Sequence, residues 1–231
     1  MNHRTSPSFG VPPFFLSLYG WTYWLPIFLF GAVAIATCLL IPGLLWLAVL
    51  FAIVTFAGLA FFRDFPRTVP ADPGVMVAPA DGKVTEITRL DYYEPFNGPA
   101  LRVGIFLSVL DVHVNRAPCD AIVLWTKYEE GLFLDARHPE SGARNQSNTV
   151  ALAHPASQKP VAVVRQVVGA IARRIIAPVG PGDQLFRGQR FGMIAFGSRT
   201  ELYVPHPDAW VPAITLGTHV KAGAHILLRP A

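Results

Sequence analysis

The first 62 residues contain a long stretch without charged side chains. From residue 5 to residue 62 there is no Asp, Glu, Lys or Arg, a longer uncharged run than the cores of soluble proteins use. Residues 21–41 and 43–62 each have the roughly 20 residues of a membrane-spanning helix, and Pro42-Gly43 is a turn signal between them. The pattern predicts a transmembrane α-helical hairpin, within a membrane anchor at residues 1–62. A buried helical pair in a soluble protein is the alternative.

Beyond residue 62 the pattern changes to short runs of β-branched and aromatic residues, interrupted by Gly and Pro. Such runs predict strands bounded by turns. The predicted strands are residues 75–77, 83–88, 101–114, 121–128, 149–153, 161–176, 190–195 and 201–204. Their spacing predicts a mainly β domain at residues 63–231, made of antiparallel sheets or a barrel-like sandwich. The polar, irregular residues 135–148 are predicted to form a loop.

One internal repeat is visible near the C-terminal end. The pattern Gly-x-x-apolar-x-x-Gly-x-x-apolar occurs at residues 182–191 and again at residues 217–226. Glycine at these positions supplies a positive φ, and the apolar side chains enter a shared core. The repeat resembles the lipoyl and biotinyl carrier domains and their barrel-sandwich relatives. That likeness concerns architecture and carries no function by itself.

The content of charged residues and cysteines indicates which kinds of partner the chain is expected to bind. The chain has a formal net charge of +4 and a pI of about 9.3. Its Lys and Arg residues are scattered and are not interleaved with stacking aromatics, so nucleic acid is not an expected partner. A basic protein next to an anionic lipid surface is the simpler interpretation. The two cysteines, Cys38 and Cys119, make neither a disulfide framework nor a C-x-x-C zinc site, and no metal is expected.

The charges that flank the apolar stretch predict its orientation. His3 and Arg4 precede the stretch, and Arg63 and Arg67 follow it. Because positive residues stay on the cytoplasmic side, both ends of the hairpin and the β domain are predicted to be cytoplasmic. The predicted location of the anchor is the cell (inner) membrane.

Two stretches carry acidic and imidazole groups. Asp81 lies in a Pro-Ala-Asp-Gly turn, although Asp-Gly alone is an ordinary hairpin turn. A strand period of two places Asp111, His113 and Asn115 on one face, where they need polar partners or a wet cleft. By itself, His113 fits a structural histidine as well as a catalytic one.

Two further stretches carry an arginine pair and a glycine-serine pair. Arg173-Arg174 either binds a phosphate or carboxylate group or forms a solvated strand edge. Gly197 lacks a side chain that would hinder attack on its carbonyl, and Ser198 follows it directly. A Gly-Ser pair is, however, also an ordinary turn.

Taken together, these stretches resemble the short form of the pyruvoyl-dependent phosphatidylserine decarboxylases. Five motifs carry the resemblance, in the family's order and across most of residues 62–205. They are Phe-Arg-Asp-Phe-Pro-Arg at 62–67, Pro-Ala-Asp-Gly-Lys-Val at 79–84, Asp-Val-His-Val-Asn-Arg-Ala-Pro at 111–118, Gly-Ala-Ile-Ala-Arg-Arg-Ile at 169–175, and Gly-Gln-Arg-Phe-Gly-Met-Ile through Phe-Gly-Ser-Arg at 188–199.

The resemblance implies a proenzyme that cleaves itself between Gly197 and Ser198. Attack of the Ser198 Oγ on the Gly197 carbonyl gives an ester, and β-elimination with loss of ammonia turns Ser198 into a pyruvoyl group. No external cofactor is then needed, because the pyruvoyl ketone forms a Schiff base with phosphatidylserine and acts as the electron sink when CO2 leaves. The product is phosphatidylethanolamine.

The implied partners are the phospholipid substrate in the membrane and the protein's own α and β fragments, paired as a heterodimer. A higher oligomer stays open, as does the choice between a diacyl and an archaeal ether lipid. No substrate-binding residue follows from the resemblance.

The resemblance also assigns an Asp-His-Ser relay for self-cleavage. Asp81 matches the family aspartate, Ser198 is the nucleophile and His113 is the candidate histidine. Longer members have a second histidine three residues further on, where this chain has Arg116. Whether His113 serves cleavage, decarboxylation or both stays open. The family's Asn-Glu-Arg motif is also altered, to Asn-Gln-Ser-Asn at residues 145–148.

A membrane-anchored adaptor, built on a lipoyl-like β module and without catalysis, is the alternative function. It accounts for the hairpin and the glycine repeat. It does not require Gly197-Ser198 or the polar residues around His113.

Overall fold

A computed structural model of the chain describes residues 15–135, 138, 140–170, 174–195 and 198–231. Four residues singled out in the sequence lie outside these ranges: His3, Arg4, Arg173 and Gly197. The chain divides into two compact units, whose described residues are 15–65 and 66–231.

The first unit contains two apolar helices, α1 (Trp21–Leu40) and α2 (Leu45–Phe61). A turn of 3-10 helix leads into α1, and the combined segment Leu18–Leu40 is long and apolar enough to cross a membrane. The 17 residues of α2 rise about 25 Å at about 1.5 Å per residue, which is less than the roughly 30 Å of a bilayer's hydrocarbon core. The hairpin therefore has one helix of full spanning length and one shorter helix.

Small residues let the two helices pack closely as an antiparallel pair. A Cβ atom on Gly31 would collide with Thr55, and one on Gly58 would lie 3.2 Å from Ile27. Later residues of α1 thus contact earlier residues of α2, which is the arrangement of an antiparallel pair. Gly43, in the connecting turn, has a φ of +88°, which glycine adopts without strain.

The second unit is mainly β, as predicted. Its strands are β1 (Met76–Val77), β2 (Gly82–Tyr93), β3 (Gly98–Leu107), β4 (Val114–Arg116), β5 (Ala121–Glu129), β6 (Ser147–Ala153), β7 (Pro160–Val168), β8 (Arg174–Ile176), β9 (Gln184–Leu185), β10 (Arg190–Ala195), β11 (Ser198–Pro205), β12 (Trp210–Pro212), β13 (His219–Val220) and β14 (Ile226–Pro230). Eight of them form one antiparallel sheet in the order β13-β2-β3-β11-β7-β6-β5-β9. The others form two three-stranded sheets, β1-β14-β12 and β4-β10-β8.

The single strand predicted for residues 101–114 is wrong, because β3 ends at Leu107 and β4 begins only at Val114. Between them the Asp111 carboxylate accepts hydrogen bonds from the backbone N–H and the hydroxyl of Ser108, at 2.8 and 2.7 Å. This side chain offers the backbone an alternative to the sheet and closes a turn. Asp111, His113 and Asn115 therefore do not share one strand face.

Two other predicted segments also differ. The strand predicted for residues 161–176 is split into β7 and β8. Residues 135–148, predicted as a loop, contain the short helix α3 (Ser141–Arg144), and β6 already begins at Ser147.

The glycine repeat is confirmed as a structural repeat. Its four glycines all have a positive φ, between +72° and +90°: Gly182, Gly188, Gly217 and Gly223. In each copy the second glycine donates its N–H to an alanine carbonyl, from Gly188 to Ala117 and from Gly223 to Ala78, both at 2.8 Å. Three of the four apolar positions are fully buried, whereas Ile226 is only half-buried.

The repeat extends to two segments that sequence inspection missed. Residues 78–84 read Ala-Pro-Ala-Asp-Gly-Lys-Val, and residues 117–123 read Ala-Pro-Cys-Asp-Ala-Ile-Val. Reciprocal hydrogen bonds of 2.9 Å join the two segments, from the Val77 N–H to the Pro118 carbonyl and from the Arg116 N–H to the Pro79 carbonyl. The two copies are thus related by an approximate two-fold axis. This symmetry makes Asp120 the counterpart of Asp81.

Candidate active site

Ser198 is the first residue of β11, in the middle of the eight-stranded sheet. Its backbone pairs with Leu107 of β3 on one side and with Val168 of β7 on the other. The side chain is fully buried, and its Oγ has no hydrogen-bond partner among the described residues. A buried hydroxyl in this state costs about 1–3 kcal/mol of stability, and such an orphan calls for a functional explanation.

A turn at the end of β3 holds the imidazole ring of His113. The ring is fully buried, and its Nδ1 lies 2.9 Å from the Asp111 carbonyl oxygen. Because a carbonyl only accepts, Nδ1 carries the proton and donates. In the neutral ring, Nε2 then has the lone pair that a general base requires.

The side chain of Asp111 connects the same turn to a second element of the sheet. Besides its bonds to Ser108, its carboxylate lies 2.9 Å from Nε2 of His219. His219 belongs to β13, at the edge of the large sheet. The His113 backbone is thereby tied to the sheet edge through the neighbouring aspartate.

Asp81 is buried just before β2 begins. Its Oδ1 accepts the Ala222 N–H and its Oδ2 accepts a hydrogen bond from Arg67, both at 2.7 Å. Burial raises the pKa of this carboxyl group above its ordinary value, against the opposing effects of Arg67 and of the Ala222 hydrogen bond, and the charge of Asp111 raises the pKa further. The described hydrogen bonds of Asp81 do not include one to His113.

Asp81 and Ser198 lie at the same end of the eight-stranded sheet. Lys83, two residues after Asp81, pairs with Phe106 of β3, and Ser198 pairs with the adjacent Leu107. Strands β2 and β11 flank β3, so the backbones of Asp81 and Ser198 are about 10 Å apart, or two strand spacings.

The backbone of His113 reaches the same region. Its carbonyl accepts the Ile194 N–H at 3.2 Å, near the end of β10, the strand that leads toward Ser198. The structure thus brings all three predicted relay residues to one end of the sheet.

A buried chain of amide side chains, which sequence reasoning missed, runs behind Ser198. Asn115 donates to the Thr200 hydroxyl at 3.1 Å and to the Pro79 carbonyl at 3.2 Å. Gln166 donates to Asn115 at 2.8 Å and accepts from Asn148 at 3.0 Å. The available signal was Gln166, an uncharged polar residue next to Arg165 in the otherwise apolar residues 161–168. These bonds fix β4 against the sheet beside the nucleophile.

Asn145, in the altered motif, anchors its loop next to the strand that flanks Ser198. Its amide donates to the carbonyl of Val168 at 2.9 Å and to the carbonyl of Leu134 at 2.8 Å. Its oxygen accepts the Leu134 N–H at 2.9 Å. The asparagine therefore has a structural role at the site, without the acid and the arginine of the family motif.

Arg199, directly after Ser198, belongs to a charged cluster on the opposite face of the sheet. Its guanidinium pairs with Glu86 and, at 2.8 Å, with the buried Glu201. Burial raises the pKa of Glu86, but Arg102 and Arg199 outweigh this effect and hold the pKa below its ordinary value. These ion pairs lock the start of β11 to β2.

A second arginine joins the same cluster to the loop of Asn145. Arg165 lies 3.7 Å from Glu201 and donates to the Gly142 carbonyl and to the Ser147 hydroxyl. The residues around Ser198 are therefore braced on both faces of the sheet.

Two remaining features of the sequence can be placed. Arg174, in β8, is exposed and pairs in register with Ala195, three residues before Ser198. Within the described ranges, no group of three or more His, Cys, Asp or Glu side chains has a metal-binding arrangement.

Comparison with known proteins identifies the family of this chain. The phosphatidylserine decarboxylase family model matches residues 57–228. The phosphatidylserine decarboxylase proenzyme of Rhodopirellula baltica is 41% identical over 191 residues, which are 82% of this chain and 79% of the relative. The proenzyme of the same name from Cupriavidus metallidurans is 38% identical over 201 residues, 87% of this chain and 90% of the relative.

A third proenzyme of that name, from Carboxydothermus hydrogenoformans, is 39% identical over 184 residues, 80% of this chain and 84% of the relative. These matches confirm the resemblance drawn from the five motifs and favour the decarboxylase over the adaptor. The chain belongs to the phosphatidylserine decarboxylase family, whose members are lyases.

Proposed function

We propose that this chain is a phosphatidylserine decarboxylase proenzyme that cleaves itself between Gly197 and Ser198. One observation carries the proposal. Ser198 is buried at the start of a central strand, and its Oγ has no hydrogen-bond partner among the described residues. A hydroxyl that no described residue engages in a hydrogen bond is available as a nucleophile. Membership of the phosphatidylserine decarboxylase family indicates which reaction the chain catalyses.

The first step is attack of the Ser198 Oγ on the Gly197 carbonyl carbon, with His113 as the base that takes the hydroxyl proton. The C–N bond between the two residues then breaks. His113 returns the proton to the released amine, and an ester joins the two fragments. The hydrogen bond from Nδ1 of His113 to the Asp111 carbonyl fixes the imidazole ring in the tautomer that this proton transfer needs.

The second step removes the Ser198 α-proton and breaks its Cβ–Oγ bond. Gly197 leaves as the carboxylate end of the β fragment. One water then replaces the nitrogen of residue 198, which departs as ammonia, and residue 198 is left as a pyruvoyl group at the start of the α fragment. Atoms balance with one water consumed and one ammonia released.

Asp81 acts on this chemistry by its charge. Its described hydrogen bonds are with Arg67 and Ala222, so no proton passes through Asp81 in this mechanism. A carboxylate at the same end of the sheet stabilises the imidazolium that forms when His113 takes the Ser198 proton. Asp81 thus has the place of the aspartate in the Asp-His-Ser relay that the resemblance implies, but it acts through its charge and not through a hydrogen bond to His113.

The residues around position 198 fit a pyruvoyl group. The position is buried, and its side chain makes no hydrogen bond to a described residue. Backbone pairing with Leu107 and Val168 holds residue 198 in place. When formed, the group supplies a ketone conjugated with an amide, which takes up the electrons released as the substrate loses CO2. His113 is the group proposed to hold the proton that the product carbon then receives.

The same proposal places the protein in the cell (inner) membrane as a heterodimer of its α and β fragments, with phosphatidylserine as substrate. The apolar segment Leu18–Leu40 supports membrane association. The positive residues on both sides of the hairpin favour cytoplasmic termini. Labelling of cysteines placed at residue 3 or at the exposed residue 71 from outside intact cells would contradict this orientation.

The test is a comparison of Ser198→Ala with Ser157→Ala on a denaturing gel. Ser198→Ala lacks the nucleophile and is expected to stay one inactive chain. Ser157 is exposed and outside the site, so its variant is expected to give two fragments, like the unaltered protein. Cleavage of Ser198→Ala at this bond would overturn the mechanism.

A further inference from the structure

Exposed apolar side chains gather at the end of the sheet that contains Ser198. The described part of residues 66–231 has nine large hydrophobic side chains that are exposed: Tyr92, Val109, Leu110, Tyr128, Leu132, Phe133, Phe186, Val211 and Leu216. Five of the nine belong to loops that leave the sheet at the Ser198 end, and we call these five the site rim: Val109, Leu110, Leu132, Phe133 and Leu216. Such clustering, unlike single exposed leucines, marks an interaction surface.

One flank of the site rim follows the β3 side of Ser198. Leu110, at the tip of the turn after β3, is 83% exposed, and Leu216, in the turn before β13, is 63% exposed. The 2.9 Å contact between the Asp111 carboxylate and Nε2 of His219 joins the two turns. Exposed Lys83 lies between them, since it pairs with His219 and its side chain lies against Gly217.

The other flank follows the β7 side of Ser198. Leu132 and Phe133 are 43% and 40% exposed. Their segment is held by Asn145, which bonds both Leu134 and the carbonyl of Val168, the strand partner of Ser198. The buried Ser198 therefore lies between two exposed apolar loop tips.

We propose that the site rim docks onto the lipid surface and inserts its apolar tips between the headgroups, which brings membrane lipid to residue 198. The inference rests on the proposed function, because it gives that same site its route to a bilayer substrate. A lipid surface suits these residues better than a protein partner does. Leucine, valine and phenylalanine tips bury apolar area in the interface, and the ammonium of Lys83 between them attracts anionic headgroups. The same chain has the segment Leu18–Leu40, which is long and apolar enough to cross a membrane.

The test compares two forms of the substrate. Full-length protein is reconstituted in phosphatidylcholine vesicles that contain phosphatidylserine, and is assayed separately in detergent with a short-chain phosphatidylserine below its critical micelle concentration. The variants are Leu110→Asp and Leu216→Asp. The matched control is Tyr92→Asp, because Tyr92 is 61% exposed and lies at the opposite end of β2.

Each rim variant is expected to lose roughly tenfold in kcat/KM on vesicles, and the double variant more, since an apolar insertion becomes a charge. Activity on the soluble lipid is expected to stay close to that of the unaltered protein, and Tyr92→Asp is expected to change neither. Cleavage into two fragments, checked on a gel, shows that each variant has matured.

Three results would overturn the proposal: an equal loss on both substrates, no loss on either, or a vesicle defect accompanied by a change of oligomeric state in detergent. The last would assign the site rim to a contact between copies of this chain. Failure of the proposed function looks different, because the unaltered protein would then be inactive on both forms of the lipid.

Discussion

At the scale of single residues, the contrast between Ser198 and its neighbours defines the site. The hydroxyl of Thr200, on the same strand, accepts from Asn115, whereas the Ser198 Oγ has no partner among the residues that the structure describes. His113 is equally buried but is oriented by a specific bond to the Asp111 carbonyl. One side chain is thus left available for attack while the polar groups around it are fixed.

His113→Ala is expected to slow self-cleavage or, where cleavage still occurs, decarboxylation. A proton-transfer group of this kind is worth about 10² to 10⁴ in rate. Melting temperature and specific activity are measured on the same sample. A variant that melts earlier but is fully active per folded molecule would make His113 a structural residue only.

Asp81→Asn and Asp120→Asn form a matched pair, because the internal symmetry gives both aspartates the same backbone bond. The Asp81 carboxylate accepts the Ala222 N–H, and that of Asp120 accepts the Arg187 N–H at 2.8 Å. Asparagine keeps an oxygen for this bond, so both turns are expected to survive.

Only Asp81→Asn removes charge from the site. Self-cleavage of this variant is expected to slow at least about tenfold, the effect of roughly 1.4 kcal/mol in the barrier, while Asp120→Asn cleaves normally. The time course of fragment formation after synthesis measures this. Equal rates in the two variants would remove Asp81 from the mechanism.

The three proposed relay residues, Asp81, His113 and Ser198, could be singled out in the sequence because each belongs to a local motif. The amide chain could not, because Gln166 and Asn115 are 51 positions apart. Only the register of β7 and β4 in the folded sheets brings such a pair together, and no local pattern encodes that register.

At the scale of elements, the strands were predictable where apolar residues alternate and a glycine or proline ends the run. The prediction was wrong for residues 101–114 because apolar residues continue through the turn that Asp111 closes, and no Gly or Pro marks that turn. A hydrogen bond from a side chain to the backbone overrides that pattern. The turn matters for function, because it takes His113 out of the strand and toward the end of the sheet.

The ion pairs that join β2 to β11 predict a pH dependence of stability. The pKa of Glu86 is held below its ordinary value of 4.5 in the folded protein. The ionised carboxylate therefore stabilises the fold above pH 4.5, and this contribution is lost as the pH falls through the folded pKa.

Glu86→Gln is accordingly expected to melt below the unaltered protein at neutral pH, with a gap that closes in acid. Thermal unfolding followed by circular dichroism in detergent measures the gap. The exposed Glu130→Gln serves as control and is expected to show no gap. A gap that stays constant or widens in acid would contradict the assignment.

At the scale of the whole molecule, the chain combines a helical hairpin with a β unit built on an internal repeat. Both could be predicted from sequence, the first from 58 uncharged residues and the second from four glycines. The two-fold relation between residues 78–84 and 117–123 was missed, because only four identical positions mark it and the contacts that create it are long-range. The repeat positions Asp81 beside the site and Asp120 away from it.

The intact mass of the purified protein tests the central claim most directly. The account predicts a β fragment that ends at Gly197 as a carboxylic acid and an α fragment that runs from residue 198 to Ala231. The α fragment is expected to be lighter by one ammonia than a peptide that begins with serine, because residue 198 has become a pyruvoyl group. A single uncleaved mass, a cut at another bond, or an α fragment that still begins with serine would contradict the account.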